Sequence, residues 1–233
     1  MTPTYQPTSQ RVKRVRDSIR LLLTQRLPET LYYHNPAHTL DSVLGVVSIA
    51  DTLAQMEGVC ASDREILQTA AYFHDTGFIE QYKANEPIGA RFARDLLPIY
   101  DYSPGEIQRV ERLILATQYP TSPKDHLEEI ICDADVDNFG RDDFFEKNDA
   151  VRRELGVTDM RQWYENSLRL LEGHRFYTTA ARTLRDAKKQ ENLAQLRQKL
   201  GELTGEHPAP SLPSSVPALL AAVALACHIW KGP

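Results

Sequence analysis

From Ser9 to Leu203 this chain repeats one pattern: apolar residues at helical spacing, run after run, closed by proline or glycine. Val12, Val15, Ile19, Leu22 and Leu23 share one face between Ser9 and Leu27, and Pro28 stops that helix. A second helix is expected from Pro36 to about Gly58, with Leu40, Val43, Leu44, Val47, Ile49 and Leu53 turned inward. Ser62 and Glu65 have capping-box spacing and open a third, which carries Ile66, Leu67, Ala70, Ala71 and Phe73 towards Gly77. Further helices are expected from Pro87 to Pro98, from Ser103-Pro104 through Thr117, and over Lys124 to Asn138. Three more follow over Asp142 to Leu155, Thr158 to Gly173 and Thr178 to Leu203. The last turns Leu184, Ala187, Leu193 and Leu196 inward. No convincing alternating strand pattern and no internal repeat occurs. The fold class is all-α.

One helical domain is expected over 1–204, followed by an irregular tail over 205–233. Pro208, Pro210, Pro213 and Pro217 mark a linker, and Ala218 to Trp230 is apolar except for His228. That run is shorter than the roughly 17–25 residues of a membrane span. It is expected to dock on the core or on another copy in a homo-oligomer, rather than on a membrane. Met1 to Arg16 is polar and basic with no apolar core, so it does not read as a secretory leader. Three cysteines, Cys60, Cys132 and Cys227, have no paired spacing, which leaves neither a disulfide framework nor a cysteine zinc site. A cytoplasmic location is expected. The net charge of −5 argues against nucleic acid as a partner, and Arg11, Lys13, Arg14 and Arg16 read as a solvated helix face.

The chemistry gathers at three places. Asn35 and Pro36 start the second helix and put His38 in its first turn, where a side chain reaches past the helix end. His74-Asp75 prolongs the buried face of the third helix, since Leu67, Ala70, Ala71 and His74 share helical spacing. Burying both groups is costly unless each finds a partner or a cation. The third place is Asp133-Ala134-Asp135-Val136-Asp137, where periodicity alone selects no one aspartate. Asp135 and Asp137 flank the apolar stripe and Asp133 points further out. Imidazoles together with carboxylates suit a divalent transition metal.

Taken in order, Tyr33-His34-Asn35-x-x-His38, His74-Asp75-x-Gly77 and Asp133-Ala134-Asp135-x-x-x-x-Gly140 resemble the HD superfamily of metal-dependent phosphohydrolases. The motifs cover Tyr32 to Gly140, and the later helices look like the family's usual continuation. The resemblance implies a metal set of His38, His74, Asp75 and Asp135. Asp133 and Asp137 then become outer or solvated carboxylates. His34 matches the general acid of cyclic nucleotide phosphodiesterases, and Asp75 is implied to orient or deprotonate water. One divalent ion per chain is expected, of the Mn, Fe, Ni, Co, Mg or Zn kind, because no extra histidine pair follows Asp75. His126, His174 with Arg175, Lys83 and Arg91 stand outside this set as surface, cleft or phosphate-side groups. The implied activity is hydrolysis of a phosphate mono- or diester of a nucleotide or related small molecule. The rival readings are a helical regulatory module with a structural metal, and a membrane-associated adaptor acting through 218–230.

Overall fold

The computed structural model describes residues 7 and 9–205, and every regular element among them is a helix. His207, Cys227, His228, the proline linker and the apolar run over 218–230 lie outside the described residues. Where the sequence suggests one domain up to residue 204, contacts gather the chain into two compact units. The first takes the chain to Asp137 and returns for Tyr177–Thr183; the second takes Asn138–Phe176 and the chain from Leu184 on.

The first unit is built from α1 (Gln10–Arg26), α2 (Pro36–Leu40), α3 (Val46–Met56), α4 (Ala61–Phe73), α5 (Asn85–Leu96), α6 (Pro104–Ala116) and α7 (His126–Asp135). Its centre is α4. Ile66 through Phe73 are all buried, the mark of a helix covered on every side. α1, α3, α5, α6 and α7 all pack against it. Val12, Val15, Ile19 and Leu23 from α1, and Val110, Leu113 and Ile114 from α6, complete the core. Each such side chain contributes about 1.5–3 kcal/mol by leaving water.

Several boundaries differ from the sequence expectation, each for a local reason. The helix expected from Pro36 to Gly58 is two helices broken at Asp41–Gly45. Asp41 Oδ1 accepts the N–H groups of Val43 and Leu44 at 2.8 and 2.7 Å, a turn that competes with the helical ladder. Gly45 lets the chain fold back here, since a Cβ would lie 2.6 Å from the Asp41 nitrogen. Val43 and Leu44, expected inside, are therefore exposed. The Ser62–Glu65 capping box does not form: Cys60 is the N-cap of α4, without a side-chain bond. Glu65 instead takes the Arg11 guanidinium at 2.7 Å. Arg11 also pairs with Glu106, and Arg14 with Asp101, so the basic run is tied to neighbouring elements rather than simply solvated.

The second unit holds α8 (Phe144–Glu154), α9 (Met160–Gly173) and most of α10 (Thr179–Thr204). Phe144, Leu171, Leu193 and Leu196 form its core, flanked by Phe139, Phe145, Tyr164 and Leu168. Leu184 and Ala187, expected inward, are exposed; Lys189 and Asn192 take buried positions on α10. Asn192 Nδ2 donates to the carbonyls of Phe139 and Arg141 at 3.0 and 2.9 Å, which explains its burial.

Candidate metal centre

Three chain segments converge at the C-terminal end of α4. Asn35 Oδ1 accepts the N–H groups of Ala37 and His38, and Pro36 occupies the first turn of α2, so the entry of His38 is set by capping. α4 delivers His74 as its C-cap residue and Asp75 immediately after it. α7 ends at Asp135. The His38 Nε2, His74 Nε2 and an Asp135 carboxylate oxygen all lie within 4.8 Å of one another.

The separations are short. His38 Nε2 stands 3.1 Å from Asp135 Oδ1 and 3.5 Å from Asp75 Oδ2. His74 Nε2 stands 3.2 Å from Asp75 Oδ2 and 3.5 Å from Asp135 Oδ1. Donors about 2.1 Å from one shared ion sit about 3.0–4.2 Å from each other, so His38, His74 and Asp135 can share a single small divalent cation, while Asp75 Oδ2 faces both histidines from outside that group of three.

Hydrogen bonding makes the same point independently. His74 Nδ1 is 2.8 Å from the Ala71 carbonyl oxygen, an acceptor, so Nδ1 carries the proton. In the neutral ring Nε2 then presents a lone pair to two carboxylates. His74 Nε2 and Asp75 Oδ2 are both buried and have no hydrogen-bond partner. Two facing acceptors buried side by side need a positive charge between them. Burial opposes charging His74, yet the Asp75 carboxylate and then Asp135 hold its pKa well above the ordinary imidazole value. Burial likewise opposes ionised Asp75, and the neighbouring His74 nevertheless draws its pKa below the usual carboxylate range. Asp135 shifts down too, against its burial, through His38 and His74. The residues present fit a divalent metal.

Residues 39–138 match the family model described as HD domain. The chain carries an HD domain. No curated protein and no solved structure matches the chain. The matched span begins one residue after His38, so His38 enters the cluster on geometry, beside the His74, Asp75 and Asp135 of the HD domain itself.

Around the cluster, His34 is half-buried with its ring stacked on Phe78 at 4.3 Å and edge-on to Tyr33 at 4.8 Å. Its charge, when protonated, acts on Asp75. Tyr33 packs against the His38 ring at 4.5 Å, and its hydroxyl donates to the Asp135 carbonyl oxygen at 3.4 Å. Tyr33 and Phe78 carry no periodic signal of their own. Glu86, in the first turn of α5, is a further group that sequence reasoning passed over. Burial raises its pKa, and the negative charges of Asp75 and Asp135 add to that rise.

Asp133 and Asp137 are not solvated: both are buried, at 0% and 1% exposure. Asp133 accepts the N–H groups of Tyr177 and Thr178 at 2.9 and 2.8 Å and the Thr178 hydroxyl at 2.8 Å. It anchors the returning segment of its unit. His126 is surface-side, between Glu129 and Glu57, and Arg91 pairs with Glu80. His174 belongs to the second unit, where its Nδ1 faces Lys189 Nζ at 3.1 Å. Among the described residues, no helix is long and apolar enough to cross a membrane.

Proposed function

We propose that this HD domain is a metal-dependent phosphohydrolase acting on a phosphate mono- or diester of a small molecule such as a nucleotide. The observation that carries the reading is the pair of buried, unpartnered atoms, His74 Nε2 and Asp75 Oδ2, facing each other at 3.2 Å. The HD family is mostly metal-dependent hydrolases, which supports the reaction class. In this reading His38, His74, Asp75 and Asp135 hold the ion. A divalent metal in such a set supplies Lewis acidity at a phosphate oxygen and lowers the pKa of bound water.

The chain's own groups divide the remaining work. Ala71 fixes the His74 tautomer, so the ring offers Nε2 without reorganisation. Asp75, beside the ion, orients the attacking water or accepts its proton. His34, held by the Phe78 ring, donates a proton to the leaving oxygen. The Asp135 side chain is 24% exposed, which leaves one side of the cluster open to solvent. Structural metal sites are closed by protein ligands, so this opening favours chemistry over a purely structural ion.

The test is hydrolysis of an aryl phosphate and an aryl phosphodiester by the full chain, metal-stripped and then supplied with Mn²⁺, Ni²⁺, Co²⁺, Mg²⁺ or Zn²⁺. Turnover should require metal and vanish in His74→Ala and Asp75→Ala. Metal binding without turnover of either ester class would support the regulatory-module reading instead.

A further inference from the structure

Arg16 and Arg20 stand four residues apart on α1, so their side chains leave the same side of the helix. Both line a cleft of about 170 Å³ in the first unit, together with Asp41, Ser42 and Val47. Arg16 pairs with the exposed Asp17 at 2.8 Å. Arg20 has no ion-pair partner among the described residues. Two guanidinium groups at this spacing repel each other, and Asp41 forms no ion pair with either of them among the described residues. Its Oδ1 is committed to the Val43 and Leu44 N–H groups. Ser42 also lines the cleft. Val47 lies in the first turn of α3, whose N-cap, Gly45, supplies no side-chain acceptor, so the helix adds its positive end to the same space.

We propose that this cleft is a second anion site that takes a phosphate or diphosphate group. Its volume falls below the roughly 300–1,000 Å³ of pockets that enclose whole small molecules, so it suits the charged group alone. It is separate from the metal cluster. Leu40 and Tyr72 complete the lining, and each stands two residues from a cluster histidine, His38 or His74. Positions i and i+2 on a helix do not share a face, which puts the cleft behind the segments that carry the cluster.

The probe is inorganic pyrophosphate, titrated calorimetrically into the full chain after metal removal, with ADP in a parallel arm. Saturable binding is expected, weakened at least tenfold by Arg16→Ala and by Arg20→Ala, partly restored in Arg20→Lys, and unchanged in Asp135→Asn. Arg20 is exposed, so its variants should fold, which circular dichroism checks. ADP competing with pyrophosphate would identify a nucleotide's diphosphate as an accepted source; ADP failing to compete would restrict the site to the free anion. No saturable binding, equal binding in both alanine variants, or loss in Asp135→Asn would overturn the proposal. Because no metal is present, failure here leaves the phosphohydrolase reading standing, and failure of that reading leaves this one.

Discussion

His74 donates its Nδ1 proton to the Ala71 carbonyl oxygen, three residues back on α4, at 2.8 Å. A backbone acceptor cannot titrate or rotate away, so the ring's other nitrogen is committed to the Asp75 and Asp135 carboxylates. His74→Ala should therefore cut affinity for a divalent metal by about tenfold or more, since even the loss of outer partners costs that much. Metal content by mass spectrometry and a competition titration would measure it. Unchanged stoichiometry and affinity would remove His74 from the set.

Two aspartates of one helix should respond in opposite ways. Asp135→Asn should lose metal while keeping stability close to that of the parent. Asp133→Ala should keep metal and lose stability, because it strands the half-buried N–H donor of Tyr177 and the buried one of Thr178. Each stranded donor costs about 1–3 kcal/mol. Urea midpoints and metal content on both variants would test the division, and a stable Asp133→Ala protein without metal would reverse it.

That division also marks where sequence reading stops. The stripes of α1, α4 and α6 are local, so their inward faces are legible from spacing alone. Asp133 has its partners 44 and 45 residues away, and no pattern within α7 announces them. Glu65 looked like a capping residue until Arg11, 54 residues distant, drew it away. Asp41 broke a helix through bonds to Val43 and Leu44 that its neighbours' hydrophobic pattern concealed. Within the candidate site, His38 was readable because a cap placed it, and His74 because it prolongs a buried helical face; Asp135 was singled out only by the family resemblance, since periodicity favours no one aspartate of its segment. The orphaned Nε2 and Oδ2 were not readable, since they depend on the folded geometry of three segments.

Close backbone approach beside the cluster predicts a steep glycine effect. A Cβ on Gly77 would lie 1.9 Å from the Asn85 carbonyl oxygen, in the first turn of α5. Backbone must move to admit it, so Gly77→Ala should destabilise by about 2 kcal/mol or more. Gly105, in the first turn of α6, meets nothing within 4 Å, so Gly105→Ala should be neutral or stabilising by up to about 1 kcal/mol. Chemical denaturation of the pair would check this, with equal effects counting against the packing described here.

Lys189 offers a pH-dependent test in the second unit. Its side chain is buried, and Nζ donates to the His174 carbonyl oxygen and faces His174 Nδ1 at 3.1 Å. Burial, with Arg175 adding to it and Asp186 opposing it, pulls its pKa down from 10.5 to about 8. His174, neutral beside it, is pushed down to about 3, first by burial and then by Lys189 and Arg175. Between pH 8 and 10.5 the unfolded lysine holds a proton that the folded one has released, so this residue's contribution to stability rises with pH across that window. Below pH 8 both states are protonated and the full cost of the buried charge, about 3 kcal/mol, is present. Relative to Lys189→Met, the parent should thus gain stability from pH 8 to 10.5 and show a constant difference from pH 6 to 7.5. Urea denaturation of both proteins across this range measures the difference directly; a gap that stays flat through pH 10.5 would mean that Lys189 keeps an ordinary pKa in the folded protein.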